Sequence, residues 1–68
     1  MTSVKEKLEK ALREIGLAGE VYTWEKPQPT VSVQLKTRPE FGRQEFYGAS
    51  LPCAGFKAMT WLADLRMA

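Results

Sequence analysis

Apolar residues at the start of the chain recur at the spacing of one helix face. They occupy positions i, i+4, i+7, i+8 and i+11, namely Val4, Leu8, Ala11, Leu12 and Ile15. Ser3 and Glu6 have the spacing of a capping box at the start of this run, and Gly16 suits a left-handed helix end. The pattern predicts an amphipathic first helix from Ser3 to about Gly16.

The period then changes to two, which is typical of strands. We expect strands at about Glu20–Glu25, Thr30–Thr37 and Arg43–Tyr47. In the second strand, residues predicted to face the core alternate with residues predicted to face solvent: Val31, Val33 and Leu35 against Ser32, Gln34 and Lys36. In the third strand, Phe46 is expected to face the core and Tyr47 the solvent.

Proline-containing segments separate these strands. Lys26-Pro27-Gln28-Pro29 ends the first strand, and Arg38–Gly42 has the length and composition of a hairpin loop. Proline has no backbone N–H to donate to a strand ladder. Both segments are therefore predicted to be turns between antiparallel strands.

A second helix is predicted from Pro52 to about Met67, because proline in the first turn costs no intrahelical hydrogen bond. Its apolar stripe comprises Ala54, Ala58, Trp61, Leu62 and Leu65, and its polar stripe comprises Lys57, Thr60 and Asp64. Further apolar residues lie between the stripes, namely Phe56, Met59, Ala63 and Met67. The helix is thus more apolar than burial of one face requires.

The order of elements predicts an α+β fold with α-β-β-β-α connectivity. A three-stranded antiparallel sheet with one apolar face needs both helices on that face, which gives two layers. The 68 residues are too few for more than one domain, so residues 1–68 are expected to form one unit.

Composition argues against catalysis. The chain has no histidine, which removes Ser-His-Asp and Cys-His nucleophile activation and imidazole acid-base chemistry. The single cysteine, Cys53, is interpreted as a small core residue, and no spacing suits a metal site. We expect no enzyme activity, no cofactor, no metal and no small-molecule substrate.

Charge and hydropathy add two expectations. Ten Lys and Arg residues against eight Asp and Glu residues leave a net charge of +2, which permits binding to a polyanion without requiring it. No apolar run approaches bilayer length and no signal peptide is recognisable. An intracellular protein without membrane contact is expected, and the compartment is left open.

Several segments resemble the double-stranded RNA-binding domain family. The resemblance includes the leucine-bearing first helix, the strands around Val21-Tyr22-Thr23 and Val31–Leu35, and the segment Phe46-Tyr47-Gly48-Ala49-Ser50 before the last helix. It implies a non-catalytic module that binds structured or double-stranded RNA by shape rather than by sequence.

The resemblance implies RNA contacts from three places. On the first helix, the matching exposed positions are Lys5, Glu6, Glu9, Lys10 and Arg13. In the loop between the first two strands, the matching residues are Lys26 and Gln28. At the start of the last helix, where the family carries a lysine cluster that holds phosphates, this chain retains Lys57.

The wide apolar surface of the last helix supports a second interpretation. A protein partner, or a second copy of the chain, would bind the surface of that helix and the third strand, with Phe56, Trp61 and Tyr47 as anchors.

The first helix also allows i, i+4 ion pairs of Glu6 with Lys10 and Glu9 with Arg13, which are typical of a solvated face.

Overall fold

The computed structural model describes residues 3–67 and contains two helices and a three-stranded antiparallel sheet. In chain order the elements are α1 (Val4–Glu14), β1 (Gly19–Trp24), β2 (Thr30–Leu35), a 3₁₀ turn (Pro39–Phe41), β3 (Arg43–Tyr47) and α2 (Leu51–Met67). The predicted α-β-β-β-α fold is confirmed.

Helix α1 begins and ends where its capping residues predict. The Ser3 hydroxyl accepts a hydrogen bond from the Glu6 N–H at 3.1 Å. At the other end, Gly16 has a φ of 78°, and the Leu17 N–H returns to the Leu12 carbonyl at 2.9 Å. The positive φ at Gly16 therefore reverses the chain toward β1.

The sheet has the order β1-β2-β3, so β2 is paired on both sides. Val33 lies opposite Val21 of β1, and Val31 lies opposite Phe46 of β3. Strand β2 ends at Leu35, two residues before the predicted end. The N–H groups of Lys36 and Thr37 leave the ladder and donate to the Ala18 carbonyl, at 2.8 and 3.4 Å.

Both helices cover the same face of the sheet. The buried apolar residues of this layer are Leu8, Leu12, Val21, Val31, Val33, Leu35, Ala54, Ala58 and Leu62. The helices touch closely at their first turns, since a Cβ atom on Gly55 would stand 2.5 Å from Val4 Cγ1. Farther along, Ile15 and Leu62 line one depression, so α1 and α2 run parallel.

The structure corrects the expectation for Ser32. Its side chain was predicted to face solvent, but it is 0% exposed, and its neighbour on the same face, Thr30, is 1% exposed. Ser32 lies between Tyr22 of β1 and Glu45 of β3 in the central strand. The longer side chains of Tyr22 and Glu45 cover the short side chain of Ser32. Alternation along a strand therefore does not by itself make a residue solvent-exposed.

Cys53 was interpreted as a core residue, and this is also wrong, because it is exposed. It precedes Lys57 by one helical turn and shares that residue's polar side of α2. Ala54 takes the buried position next to it. Within residues 3–67, no helix combines the length and apolar content needed to cross a bilayer.

Candidate nucleic-acid and partner surfaces

Most of the residues that the RNA-binding resemblance selects on α1 are exposed. Lys5, Glu6, Lys10 and Arg13 are exposed, and Glu9 is half-buried. The only ion pair on this helix among the described residues joins Lys10 to Glu14 at 4.0 Å. The expected pairs of Glu6 with Lys10 and Glu9 with Arg13 do not form.

One side of α1 faces the outer edge of the sheet. Glu9 and Arg13 border a depression whose other wall includes Gly19 at the start of β1. Because α1 is joined to β1 by a short link and packs against it, the two run in opposite directions. The first turn of α1 therefore lies toward the end of the sheet where β1 finishes.

The β1–β2 loop lies at that same end. Lys26 and Gln28 are both exposed. The Gln28 carbonyl accepts a hydrogen bond from the Thr30 hydroxyl at 2.9 Å, and the Pro29 carbonyl accepts one from the Gly48 N–H at 3.3 Å. These bonds hold the base of the loop and leave the side chains of Lys26 and Gln28 free to contact a ligand.

Lys57 lies apart from the cations of α1. Its ammonium donates to the Tyr47 carbonyl at 2.6 Å, so the side chain extends over the end of β3. Trp61, one turn later on α2, packs on Phe46 of β3 and shows that this side of the helix faces the third strand. The structure thus places the first turn of α1 and the β1–β2 loop toward the same end of the domain, and Lys57 on the side of α2 that faces away from α1.

The open face of the sheet, which no helix covers, is internally paired. Lys36 Nζ lies 3.1 Å from a carboxylate oxygen of Glu20, and the Tyr22 hydroxyl donates to the same carboxylate. The Arg43 guanidinium carbon lies 5.2 Å from the centre of the Tyr22 ring. On β3, across the central strand β2 from Tyr22, the Tyr47 hydroxyl donates to the Glu45 carboxylate at 2.9 Å.

These pairings shift the pKa values of three groups, Glu20, Tyr22 and Tyr47, and that of Tyr47 is raised by its hydrogen bond to Glu45. The hydrogen bond from Tyr22, followed by the contact with Lys36, holds the pKa of Glu20 below its usual value. The same hydrogen bond raises the pKa of Tyr22, because ionisation would destroy the donor. The open face is therefore a network of polar side chains bonded to one another.

The three residues predicted as partner anchors lie on three different surfaces. Phe56 is 73% exposed on the side of α2 that faces α1. Trp61 is half-buried, with its ring centre 5.9 Å from that of Phe41 and 5.8 Å from that of Phe46. Tyr47 is on the open face of the sheet. The structure therefore leaves Phe56 as the only one of these three that could anchor a partner on the α1 side of α2.

A groove between the two helices was not predicted from the sequence. We call it the interhelical furrow. Its first half has a volume of about 360 Å³ and is lined by Val4, Lys7, Leu8, Pro52, Gly55, Phe56 and Met59. Its second half shares Met59 and adds Ala11, Glu14, Ile15, Leu62, Ala63 and Arg66. The sequence signal for this groove was the set of apolar residues between the two stripes of α2, which includes Phe56, Met59 and Ala63. The groove itself forms only because α1 packs beside them.

No group of three metal-ligating side chains occurs within the part of the chain that the structure describes. The chain matches no protein-family model, no curated protein and no solved structure. The α-β-β-β-α order is observed in the structure, and membership of the double-stranded RNA-binding domain family stays a prediction.

Proposed function

We propose that this domain binds structured, double-stranded RNA through α1 and the β1–β2 loop. We call this surface the RNA flank; it comprises Lys5, Glu6, Glu9, Lys10, Arg13, Lys26 and Gln28. The observation that supports it most is that the first turn of α1 and the β1–β2 loop lie at one end of the domain. A rigid surface with two separated contact regions suits a ligand recognised by its shape.

The side chains of the RNA flank supply both kinds of contact that A-form RNA offers. The 2′-hydroxyl groups of the minor groove can donate to the carboxylates of Glu6 and Glu9, and phosphates can bind the cations. Lys5, Arg13 and Lys26 have no carboxylate within 4.0 Å among residues 3–67. Their charge is therefore available to a phosphate without breaking an ion pair.

Lys57 has a smaller part in this proposal than the sequence suggested. Its hydrogen bond to the Tyr47 carbonyl holds it over β3. A neutral carbonyl does not cancel the charge of an ammonium group, so Lys57 still adds to the long-range attraction of a polyanion. It does not share a surface with the cations of α1, and we leave it outside the RNA flank.

The charge balance limits the expected affinity. The RNA flank has four cations and two carboxylates, and the whole chain has a net charge of +2. Each phosphate neutralised contributes about 0.9 to the slope of log affinity against log salt concentration for a B-form duplex. We expect a slope of magnitude no greater than about 4 and a weak, salt-sensitive complex.

The test is a titration of a short RNA duplex, and of a DNA duplex of the same sequence, at several salt concentrations. RNA should bind more tightly, because only RNA has 2′-hydroxyl groups. Arg13→Ala should weaken binding and reduce the magnitude of the salt slope by about one. Lys36→Ala is the matched control, since Lys36 is on the open face and is paired with Glu20.

Two results would contradict the proposal. One is equal binding of RNA and DNA duplexes by the unmodified protein. The other is a loss of affinity in Lys36→Ala as large as that in Arg13→Ala, which would assign binding to nonspecific attraction by the whole chain.

A further inference from the structure

Strand β3 is an edge strand, because the sheet order β1-β2-β3 leaves its outer side without a neighbouring strand. One hydrogen bond fixes the direction of its backbone groups. The Gly48 N–H donates to the Pro29 carbonyl at 3.3 Å and therefore points toward the β2 side. The Tyr47 carbonyl belongs to the same trans peptide bond, so it points the opposite way, out of the sheet.

This outward direction recurs at every second residue of β3. The N–H and C=O groups of Tyr47, Glu45 and Arg43 are therefore all directed away from β2. A row of outward N–H and C=O groups on an edge strand is a template on which a strand of another chain can pair.

Lys57 of α2 covers the last acceptor in this row. Its Nζ lies 2.6 Å from the Tyr47 carbonyl oxygen and donates to it. Because that carbonyl points out of the sheet, the ammonium group lies at the free edge of β3. A strand that paired along the whole edge would have to displace this ammonium group or bury its charge, and burying an unpaired charge is costly.

Glu45 opposes pairing of β3 with a second copy of itself. Two copies of β3 that pair antiparallel are related by a two-fold axis. The register that uses all three outward residues sets Arg43 opposite Tyr47 of the second copy and Glu45 opposite Glu45 of the second copy. The Glu45 side chain is exposed, so two like charges would lie directly across from each other.

A shift of this register by two residues avoids the like charges but shortens the pairing. Arg43 then lies opposite Glu45 of the second copy, and Tyr47 lies opposite Phe41. Phe41 belongs to the 3₁₀ turn and not to β3, so Tyr47 has no strand residue to pair with. The register centred on Glu45 is therefore the one that must be blocked.

We propose that Lys57 and Glu45 together prevent the free edge of β3 from pairing with β3 of a second copy. Lys57 occupies the carbonyl that the full register needs, and Glu45 sets like charges at the centre of that register. This role for Lys57 does not rest on the proposed RNA function, because neither Lys57 nor Glu45 belongs to the RNA flank. Either proposal can fail without the other.

The first experiment measures self-association of the intact chain by sedimentation over a wide range of concentration. The unmodified chain should be monomeric. The double variant Lys57→Ala/Glu45→Gln should self-associate with a dissociation constant at least about tenfold below any that the unmodified chain shows. Lys5→Ala/Glu25→Gln is the matched control, because it removes the same two charges from exposed positions outside β3, and it should behave like the unmodified chain.

The second experiment locates the contact by amide hydrogen exchange in the double variant. The Glu45 and Tyr47 N–H groups should exchange more slowly once the chain self-associates. The Val21 N–H should not change. It points out of the sheet at the edge of β1, because the Ala18 carbonyl faces β2, where it accepts from the Lys36 N–H.

The variant Lys57→Ala/Glu45→Pro should be monomeric. Proline at position 45 removes an outward N–H and no bond to β2, which is the arrangement that an edge strand tolerates. Circular dichroism and thermal melting establish that each variant is folded.

Three results would overturn the proposal. One is a double variant, Lys57→Ala/Glu45→Gln, that stays monomeric at every concentration or associates no more tightly than the matched control. Another is association that slows exchange at Val21 and not at Glu45, since the edge of β1 would then be the contact. The third is a folded Lys57→Ala/Glu45→Pro variant that associates as tightly as Lys57→Ala/Glu45→Gln.

Discussion

On the helix-covered face of the sheet, Val31 and Val33 of β2 lie under α1 and α2; on the open face, Thr30 and Ser32 of the same strand lie between side chains of β1 and β3. All four residues are at most 1% exposed. The first pair is buried by a second layer of structure. The second pair is buried by its neighbours within one layer.

The cover on the open face is made of tyrosines and ions. Tyr22 and Tyr47 lie beside the buried residues and remain 38% and 45% exposed. Their hydroxyl groups donate to Glu20 and Glu45, which are also on that face. Since these polar groups already have partners, the open face has little left to offer a ligand. The proposed RNA surface therefore lies on α1 and the β1–β2 loop and not on the open face.

The largest change in the free energy of unfolding should come from shortening a core side chain on the helix-covered face. Leu62 is buried at the centre of the helix layer, and Leu62→Ala should lower the free energy of unfolding by about 2–5 kcal/mol through lost burial and a new cavity. This approaches the total stability of about 3–5 kcal/mol that one core supplies in so short a chain. Denaturant titration measures it. Met67→Ala, at an exposed position of the same helix, should change little. Equal stability of the two variants would show that Leu62 does not lie on the buried face of α2.

A smaller effect should separate the two hydroxyl groups on the open face. The Thr30 hydroxyl has a partner, the Gln28 carbonyl, whereas the Ser32 hydroxyl oxygen is buried without a hydrogen-bond partner in the described part of the chain. Thr30→Val should therefore lower the free energy of unfolding by about 1 kcal/mol, and Ser32→Ala should leave it unchanged or raise it by up to about 1 kcal/mol. Urea titration of both variants tests this. A destabilising Ser32→Ala would mean that water or another group bonds to the hydroxyl.

The smallest expected effect is a pH dependence of the free energy of unfolding, which arises from Glu20 and Tyr22 on the open face. Glu20 has a lowered pKa in the folded state. Its contribution to the free energy of unfolding is therefore present above the usual glutamate pKa of 4.5, and it is lost as the pH falls through the folded-state pKa. Tyr22 has a raised pKa, so its contribution is present below the usual tyrosine pKa of 10.0 and is lost as the pH rises through its folded-state value. Both groups are exposed, and solvent screening keeps both losses small.

The variant Tyr22→Phe tests this assignment, because it removes the hydrogen bond that shifts both groups. Denaturation midpoints of the unmodified chain and Tyr22→Phe should converge at both extremes of pH and differ most near neutrality. A constant difference across the whole range would mean that the hydroxyl contributes through packing and not through the ionisation of Glu20 and Tyr22.

Local pattern was enough to identify every helix and strand and their order. The Ser3 cap, Gly16 and Pro52 mark helix ends through contacts within a few residues, so their effect is visible in the sequence. The faces of β3 were also predicted correctly, since Phe46 packs on the core and Tyr47 is exposed.

The same patterns were insufficient wherever a neighbour in space decides the outcome. Lys57 was assigned to RNA binding because the resemblance implies a lysine cluster at the start of the last helix, but the position of β3 directs it toward the Tyr47 carbonyl. Phe56 and Trp61 were grouped as anchors, but Phe41 and Phe46 cover one of them and leave the other exposed. Burial of Ser32 depends on residues ten or more positions away.

The sequence by itself determined the elements of this protein, because hydrogen bonding and hydrophobic period act along the chain. The tertiary structure alone decided which exposed residues share a surface. The RNA flank exists because α1 runs back along β1 toward the β1–β2 loop, and the interhelical furrow exists because Gly55 lets Val4 approach α2. Both depend on distances between segments that are far apart in sequence, and periodicity carries no information about those distances.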